Sequence, residues 1–390
     1  MTGPAHRGSL KAMVTPGDLH MISFNVPDPP DYGGVIEVWE KIRALHSLGI
    51  KIHLHCFVYN RPPAPGLEAF CASVHYYRRK TGLFGMHPGL PYIVSSRNSR
   101  QLRERLALDE FPILVESLHG TGFLLKGNWS DRVILIRLHN LESVYYRNQA
   151  AWAGSLFRRI YFRAEARRLK VYENLITSTP RFFLAIHPAD RKAFSEQHPG
   201  ARVEYLPAFL PFREVRSLEG RGDYWLYHGD LSVPDNDHAA RWIIEKVWES
   251  GYGTLVIAGR SPGKGLIRMI RSGAGIRLEA DPGSERMEEL IRKAQGHLIM
   301  SFNPTGIKIK LLHALFHGRH CVVSQELVRE TGLELLCRLV TGASDFKRAL
   351  EALNQVPFNQ EDILLRKTLL EKQFDNRENA LRLWHFLSPP

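Results

Sequence analysis

Short apolar runs and amphipathic segments alternate along nearly the whole chain. Residues 35–48 place Val35, Val38, Ile42, Leu45 and Leu48 at steps of three and four, the spacing of one helix face, and Gly49 supplies a stop. A strand-length apolar run at 20–24 precedes this helix. β-like runs follow at 51–57, 74–79, 112–116 and 133–138, with a helical stretch at 97–108. A long basic helix is predicted over 151–175. Trp152, Leu156, Phe157, Ile160, Tyr161, Ala164, Leu169 and Tyr172 form its apolar face, and Arg158, Arg159, Arg163, Arg167, Arg168 and Lys170 carry its charge. Short strands at 182–186 and 203–206 close the first half. Residues 207–222 hold Pro207, Pro211, Gly220 and Gly222 without periodicity and read as a linker. The alternation then restarts, with strands at 224–228, 254–258, 276–279, 297–302 and 321–324. Helices at 237–250, 264–271, 284–294 and 307–317 separate them, and two helical pieces fill 363–387. Continuous β runs joined by helices predict parallel strands with right-handed crossovers. Each half is therefore expected to be its own doubly wound α/β sheet of Rossmann-like type. The divisions expected are a loose leader over 1–18, a first domain over 19–212 and a second over 213–375.

Composition agrees with this picture. A chain of 390 residues suits two or three domains, and 44% hydrophobic with 24% charged residues is ordinary for a soluble globular protein. No apolar run approaches the roughly 18–20 residues of a membrane span. The first 18 residues lack the apolar stretch of a signal peptide. Cys56, Cys71, Cys321 and Cys337 show no Cys-x-x-Cys spacing, which argues against a zinc site or a disulfide framework and favours the cytoplasm. The net charge of +12 is uneven: residues 1–212 hold 27 Lys/Arg against 17 Asp/Glu, and the remainder 25 against 23. A basic first half suits an anionic partner as well as it suits simple solubility. Nucleic acid is not expected, since no nucleic-acid-binding motif is present.

Open parallel sheets bind ligands at the carboxyl ends of their strands, so the loops there are the places to look. Gly33 and Gly34 open the first helix, where paired glycines permit close backbone approach to an anion or serve only the turn. His139, Asn140 and Glu142 follow the strand at 133–138. Gly229 and Asn236 follow the first strand of the second half, where Asn236 is expected to cap a helix or bind a ligand. Thr305, Gly306, Ile307, Lys308, Lys310 and His313 lie where a late strand turns into a helix. Lysines at a helix N-terminus oppose its dipole, which favours an anion site over a stabilising cap. Arg260 follows another strand and is in reach of the same anion.

These segments together resemble the retaining glycosyltransferases of family 4, which have the GT-B fold of two Rossmann-like domains facing across a cleft. The resemblance spans nearly the whole chain and is strongest in Arg-Leu-His-Asn-Leu-Glu, ending at Glu142, and in residues 305–319. It implies transfer of a hexose from a nucleoside-diphosphate sugar to a glycan or lipid-linked acceptor, with retention of anomeric configuration and without a metal or other cofactor. It places the last helix, 376–388, back on the first domain. His139 would sit beside the donor sugar, with Lys308 as the second catalytic group. Gly33, Gly34, Gly229, Asn236, Arg260, Thr305, Gly306, Ile307, Lys310 and His313 would line the donor, and Asn140 and Glu142 the sugar or acceptor. Thr305 and His313 stand where the family usually carries two glutamates. That departure keeps a second reading open, a homologue that binds a nucleotide sugar or glycan without turnover. The basic helix likewise has two readings: contact with an anionic membrane at its inner face, or a core helix with a solvated basic face, which the wide apolar stripe favours.

Overall fold

The computed structural model describes residues 17–178 and 181–388. The leader expected over 1–18 falls almost wholly outside these residues; Asp18 already belongs to the first strand.

The first sheet has seven strands: β1 (Asp18–Ser23), β2 (Lys51–Val58), β3 (Ser73–Arg78), β4 (Ile113–Glu116), β5 (Ile134–Leu138), β6 (Phe182–Ala185) and β7 (Arg202–Tyr205). Their order is β3-β2-β1-β4-β5-β6-β7, all parallel. The second has six: β8 (Trp225–His228), β9 (Leu255–Gly259), β10 (Ile276–Ala280), β11 (Gly296–Ile299), β12 (His320–Ser324) and β13 (Arg338–Val340), in the order β10-β9-β8-β11-β12-β13, again all parallel. Both sheets reverse direction of winding at their first strand, so each has its crevice between the loops after β1 and β4 or after β8 and β11.

Around the first sheet lie α1 (Gly33–Ser47), α2 (Tyr92–Ser95), α3 (Arg100–Leu106), α4 (Glu142–Ala151), α5 (Leu156–Thr177) and α6 (Pro188–Gln197). Around the second lie α7 (Pro234–Trp242), α8 (Lys264–Ser272), α9 (Ser284–Lys293), α10 (Ile309–His317), α11 (Ala343–Leu353) and α12 (Gln360–Arg366). The last helix, α13 (Asn376–Leu387), returns to the first sheet. Its Ala380, Leu383 and Leu387 are buried in one core with Leu19 and Met21 of β1 and Ile42 and Leu45 of α1. The chain therefore passes between the domains twice. The Asn376 amide ties the two passages together: Oδ1 accepts from the Leu210 N–H at 3.0 Å, and Nδ2 donates to the Leu210 carbonyl at 2.8 Å.

Two expectations need correction. The helix expected over 237–250 ends as α7 at Trp242 and continues only as one wide π turn, Ile243–Val247. The helix expected over 151–175 is two helices. α4 ends at Ala151, and α5 starts at Leu156 with Ser155 as N-cap, its side chain accepting from the Arg158 N–H. The face predicted for burial is also divided. Leu169 and Tyr172 are in the core, whereas Trp152, Leu156, Phe157, Ile160 and Tyr161 are exposed.

Candidate functional site

The two crevices face each other, and two helices begin where they meet. α1 starts at Gly33 and α10 at Ile309. A methyl group on Gly33 would lie 3.3 Å from Ile309 Cγ1, so the two N-termini nearly touch. Neither first turn contains an acidic residue. The amides of Gly33, Gly34 and Val35, and of Ile307 through Lys310, have no hydrogen-bond partner among the described residues. Each helix N-terminus is equivalent to about half a positive charge, so two converging ones suit an anion.

Cations stand around this point. Lys310 Nζ is held by Asn236 Oδ1 at 2.9 Å and Tyr227 OH at 3.2 Å, above the Tyr227 ring. Burial pulls its pKa down to about 8, against Asp235, and Lys308 adds repulsion. Lys308 Nζ donates to the Thr305 carbonyl at 2.9 Å, and burial lowers it too, opposed by Asp235 and Asp190. Arg260 joins the domains by reaching Asp31 Oδ2 and Asp230 Oδ2, each at 3.0 Å.

Beside the α1 terminus lies a buried charge network. Lys41 Nζ donates to Glu37 Oε2 at 2.8 Å and Glu116 Oε1 at 2.6 Å. Arg137 Nη2 pairs with Glu37 Oε1 at 2.9 Å, and its guanidinium also donates to the Leu206 and Pro207 carbonyls at 2.7 and 3.0 Å. Two carboxylates thus face two cations with almost no water. Burial pushes Glu37 upward, but Lys41, Arg137 and His139 hold it well below the usual carboxylate range. His139 Nε2 lies 2.8 Å from Glu116 Oε2. A carboxylate oxygen only accepts, so this contact makes Nε2 the protonated nitrogen and leaves Nδ1, unpartnered among the described residues, as the basic one. Glu37, Glu116 and His139 bring three ligand atoms within 4.8 Å of one another, but a metal ion would have to displace Lys41 from between the carboxylates.

The backbone at the end of β4 is strained. Ser117 sits at φ 70° and ψ 159°, a region almost confined to glycine and costing about 1–3 kcal/mol. Its amide still donates to the Arg137 carbonyl at 2.9 Å. The strain adjoins Glu116 and so marks the same rim.

The remaining predicted residues have definite places. Gly306, at φ +69°, turns the chain ahead of α10, and the helix starts at Ile309 rather than at the expected residue 307. Its amide donates to Asp190 Oδ2 at 2.7 Å across the domain boundary. A methyl there would come within 2.4 Å of the His139 carbonyl and the Asn140 side chain. Burial raises Asp190 to about 6, opposed by the Gly306 amide and Lys308. Asn140 therefore meets the 305–306 turn; with its amide nitrogen facing that turn, it donates to the Thr305 carbonyl at 3.2 Å. Thr305 is buried, its hydroxyl on Asn303 Oδ1. Ile307 is half-buried beside it. Glu142, expected at the sugar or acceptor, turns inward: it accepts from Ser117 Oγ and lies 3.3 Å from His119 Nε2. Gly34 packs under Phe24, whose ring meets His139 edge-on. Gly229 packs on Asn236. Asn236 does not cap α7; it donates to the Asp230 carbonyl and positions Lys310. His313 stacks on Phe212, and burial pushes its pKa well down.

Sequence reasoning missed Glu37, Lys41, Glu116, Asp190, Asp235 and the strain at Ser117. Asp235 accepts from Ser301 Oγ and the Phe302 amide, fixing the loop that leads to Lys308. With Asp237 it forms an Asp-x-Asp pattern, but Asp237 is paired with Arg241. Glu37 and Lys41 lie among the apolar positions of α1, but four residues apart they carry the pattern of a surface pair and leave no distinct signal.

No family model matches the chain. An uncharacterized 44.6 kDa protein in the cps region of Klebsiella pneumoniae is 24% identical over 316 residues, covering 76% of this chain and 79% of that protein. Among solved structures, Anabaena HepE in complex with UDP and glucose is similar at a TM-score of 0.63 and 11% identity, covering 95% of this chain and 99% of HepE. Sucrose-phosphate synthase from Thermosynechococcus elongatus follows at 0.60 and 16%, covering 95% and 96%. The glycotransferase of kitacinnamycin gives 0.55 and 14%, covering 96% and 100%. The fold is that of GT-B glycosyltransferases: two parallel-sheet α/β domains across a cleft.

Proposed function

We propose that this protein is a glycosyltransferase that moves a hexose from a nucleoside-diphosphate sugar to a glycan or lipid-linked acceptor, with retention of configuration and no metal. The observation that carries this reading is the meeting of two acid-free helix N-termini, at Gly33 and Ile309, with Lys308 and Lys310 beside them. Unpartnered amides and cations in a cleft are suited to the negative charge that develops on a departing diphosphate. Single donors of this kind are often worth about 3–4 kcal/mol of barrier. HepE, of the same fold, binds UDP and glucose, which supports a uridine nucleotide as the first donor to try.

In this reading Lys308 and Lys310 hold the diphosphate and Asn236 aims Lys310. His139, held by Glu116, presents Nδ1 toward the sugar side of the cleft. Retention needs no separate base, since a departing phosphate oxygen takes the acceptor proton. The test is turnover of Lys308→Ala and His139→Ala on a panel of UDP-, GDP- and ADP-sugars, with the anomeric product read by NMR. Losses of a hundredfold or more in both are expected; near-normal turnover in both would sink the assignment.

A binding protein without turnover is the second reading. It is favoured by Thr305 and His313 in place of carboxylates and by Asp190 engaging the Gly306 amide. A thermal shift with UDP but neither hydrolysis nor transfer with any sugar nucleotide would establish it.

A further inference from the structure

Helix α5 has three faces rather than two. Glu165, Leu169, Tyr172, Glu173 and Ile176 are turned into the protein. A second apolar stripe, Phe157, Ile160, Ala164, Val171 and Leu175, repeats at helical steps on an adjoining face. Phe157 is 89% exposed, Ile160 58%, Val171 67% and Leu175 52%. Next to that stripe run Arg159, Arg163, Arg167 and Lys170. The only acidic residues of the helix, Glu165 and Glu173, are both buried, so every exposed charge on α5 is positive.

A neighbouring turn adds to this surface. Leu83 and Phe84 are 81% and 91% exposed, and Met86 follows them. The turn leans on Tyr92, since a methyl at Gly85 would meet the Tyr92 ring at 2.9 Å. The Tyr92 amide donates to Glu165 Oε2 of α5 at 2.6 Å. Arg78, Arg79 and Lys80 enter the turn, and residues 69–103 contain no acidic side chain. Two apolar projections with basic flanks thus stand on one side of the first domain.

We infer that this side of the first domain docks on an anionic lipid bilayer, with α5 lying in the interface and Phe84 and Phe157 inserted among the headgroups. Apolar side chains in a row beside arginines that have no acidic partner among the described residues are the arrangement of interfacial helices, whose binding combines apolar burial with attraction to anionic lipid. Charge sign argues against a second copy as the occupant. A two-fold dimer would set this patch against itself, arginine facing arginine. The inference is independent of the proposed catalytic activity, because none of these side chains belongs to the cleft.

The experiment is co-sedimentation of the full chain with phosphatidylcholine vesicles, with and without phosphatidylglycerol, at low and high salt. Binding is expected only to the anionic vesicles and is expected to weaken with salt. Replacing Arg159 and Arg163 by Ala should lower partitioning about fivefold for each arginine. Phe84→Glu with Phe157→Glu should abolish it, while the exposed positions leave the melting temperature unchanged. No sedimentation at low salt, or equal sedimentation of all variants, would overturn the inference. So would a dimer in analytical ultracentrifugation that Phe157→Glu disperses in a protein that ignores vesicles.

Discussion

Lys41 shows how a single side chain can hold a site together. Its ammonium is fully buried and is shared by Glu37 and Glu116, and Glu116 in turn holds His139. Removing one partner from a buried ion network leaves an uncompensated charge, at a cost of about 3–5 kcal/mol. Lys41→Met and Glu116→Gln are therefore each expected to lose several kcal/mol in urea denaturation, and Glu116→Gln also to lower turnover by weakening the hold on His139. Lys310 makes a pH prediction. A diphosphate favours its charged form, so nucleotide affinity measured by calorimetry should fall as pH rises through about 8. Its effect on folding has the opposite sign. The folded chain releases this proton before the unfolded chain does, so the stability of the fold rises with pH between about 8 and the ordinary lysine value of about 10.4. An affinity flat across this range would remove Lys310 from the anion site.

At the scale of elements, most strands were legible because each is a continuous apolar run between helices, as parallel sheets buried on both faces require. β13, only Arg338–Val340, was too short to leave such a signature. Glu37 and Lys41 were not legible because an acid and a base four residues apart are normally a surface pair. Here that pair faces inward, where Arg137 also pairs with Glu37 and Lys41 reaches the second carboxylate, Glu116. The α5 stripe was misread for a related reason. Helical periodicity reports that apolar residues share a face, but it does not say whether protein or solvent lies opposite. The break before α5 went unread, although Gly154 and Ser155, a glycine followed by a residue able to cap a helix, stand at it. The return of α13 can be tested directly. Leu383 is fully buried in the core of the first domain, so Leu383→Ala is expected to cost about 2–5 kcal/mol. The loss should appear in hydrogen exchange of β1 and α1, although the residue follows the second domain in sequence.

On the scale of the molecule, Arg260 is the exposed clasp across the cleft mouth, pairing with Asp31 on one domain and Asp230 on the other. Exposed pairs contribute little to folding. Arg260→Ala should therefore leave the melting temperature unchanged while increasing the radius of gyration in small-angle scattering, and high salt should mimic it. An unchanged radius would mean that the domains are held together by the contacts of Gly306 with Asn140 and Asp190 instead.

The joint between the domains has a further consequence. Its two chain passages are knotted at Leu210 and Asn376, so they turn as one pivot. One of them begins at Leu206 and Pro207, in the grip of Arg137. A swing of the domains must carry that guanidinium along or tear it from two carbonyls where no solvent can take its place. The pivot thus has a detent, and the group that sets it is the one that also braces Glu37 beside His139.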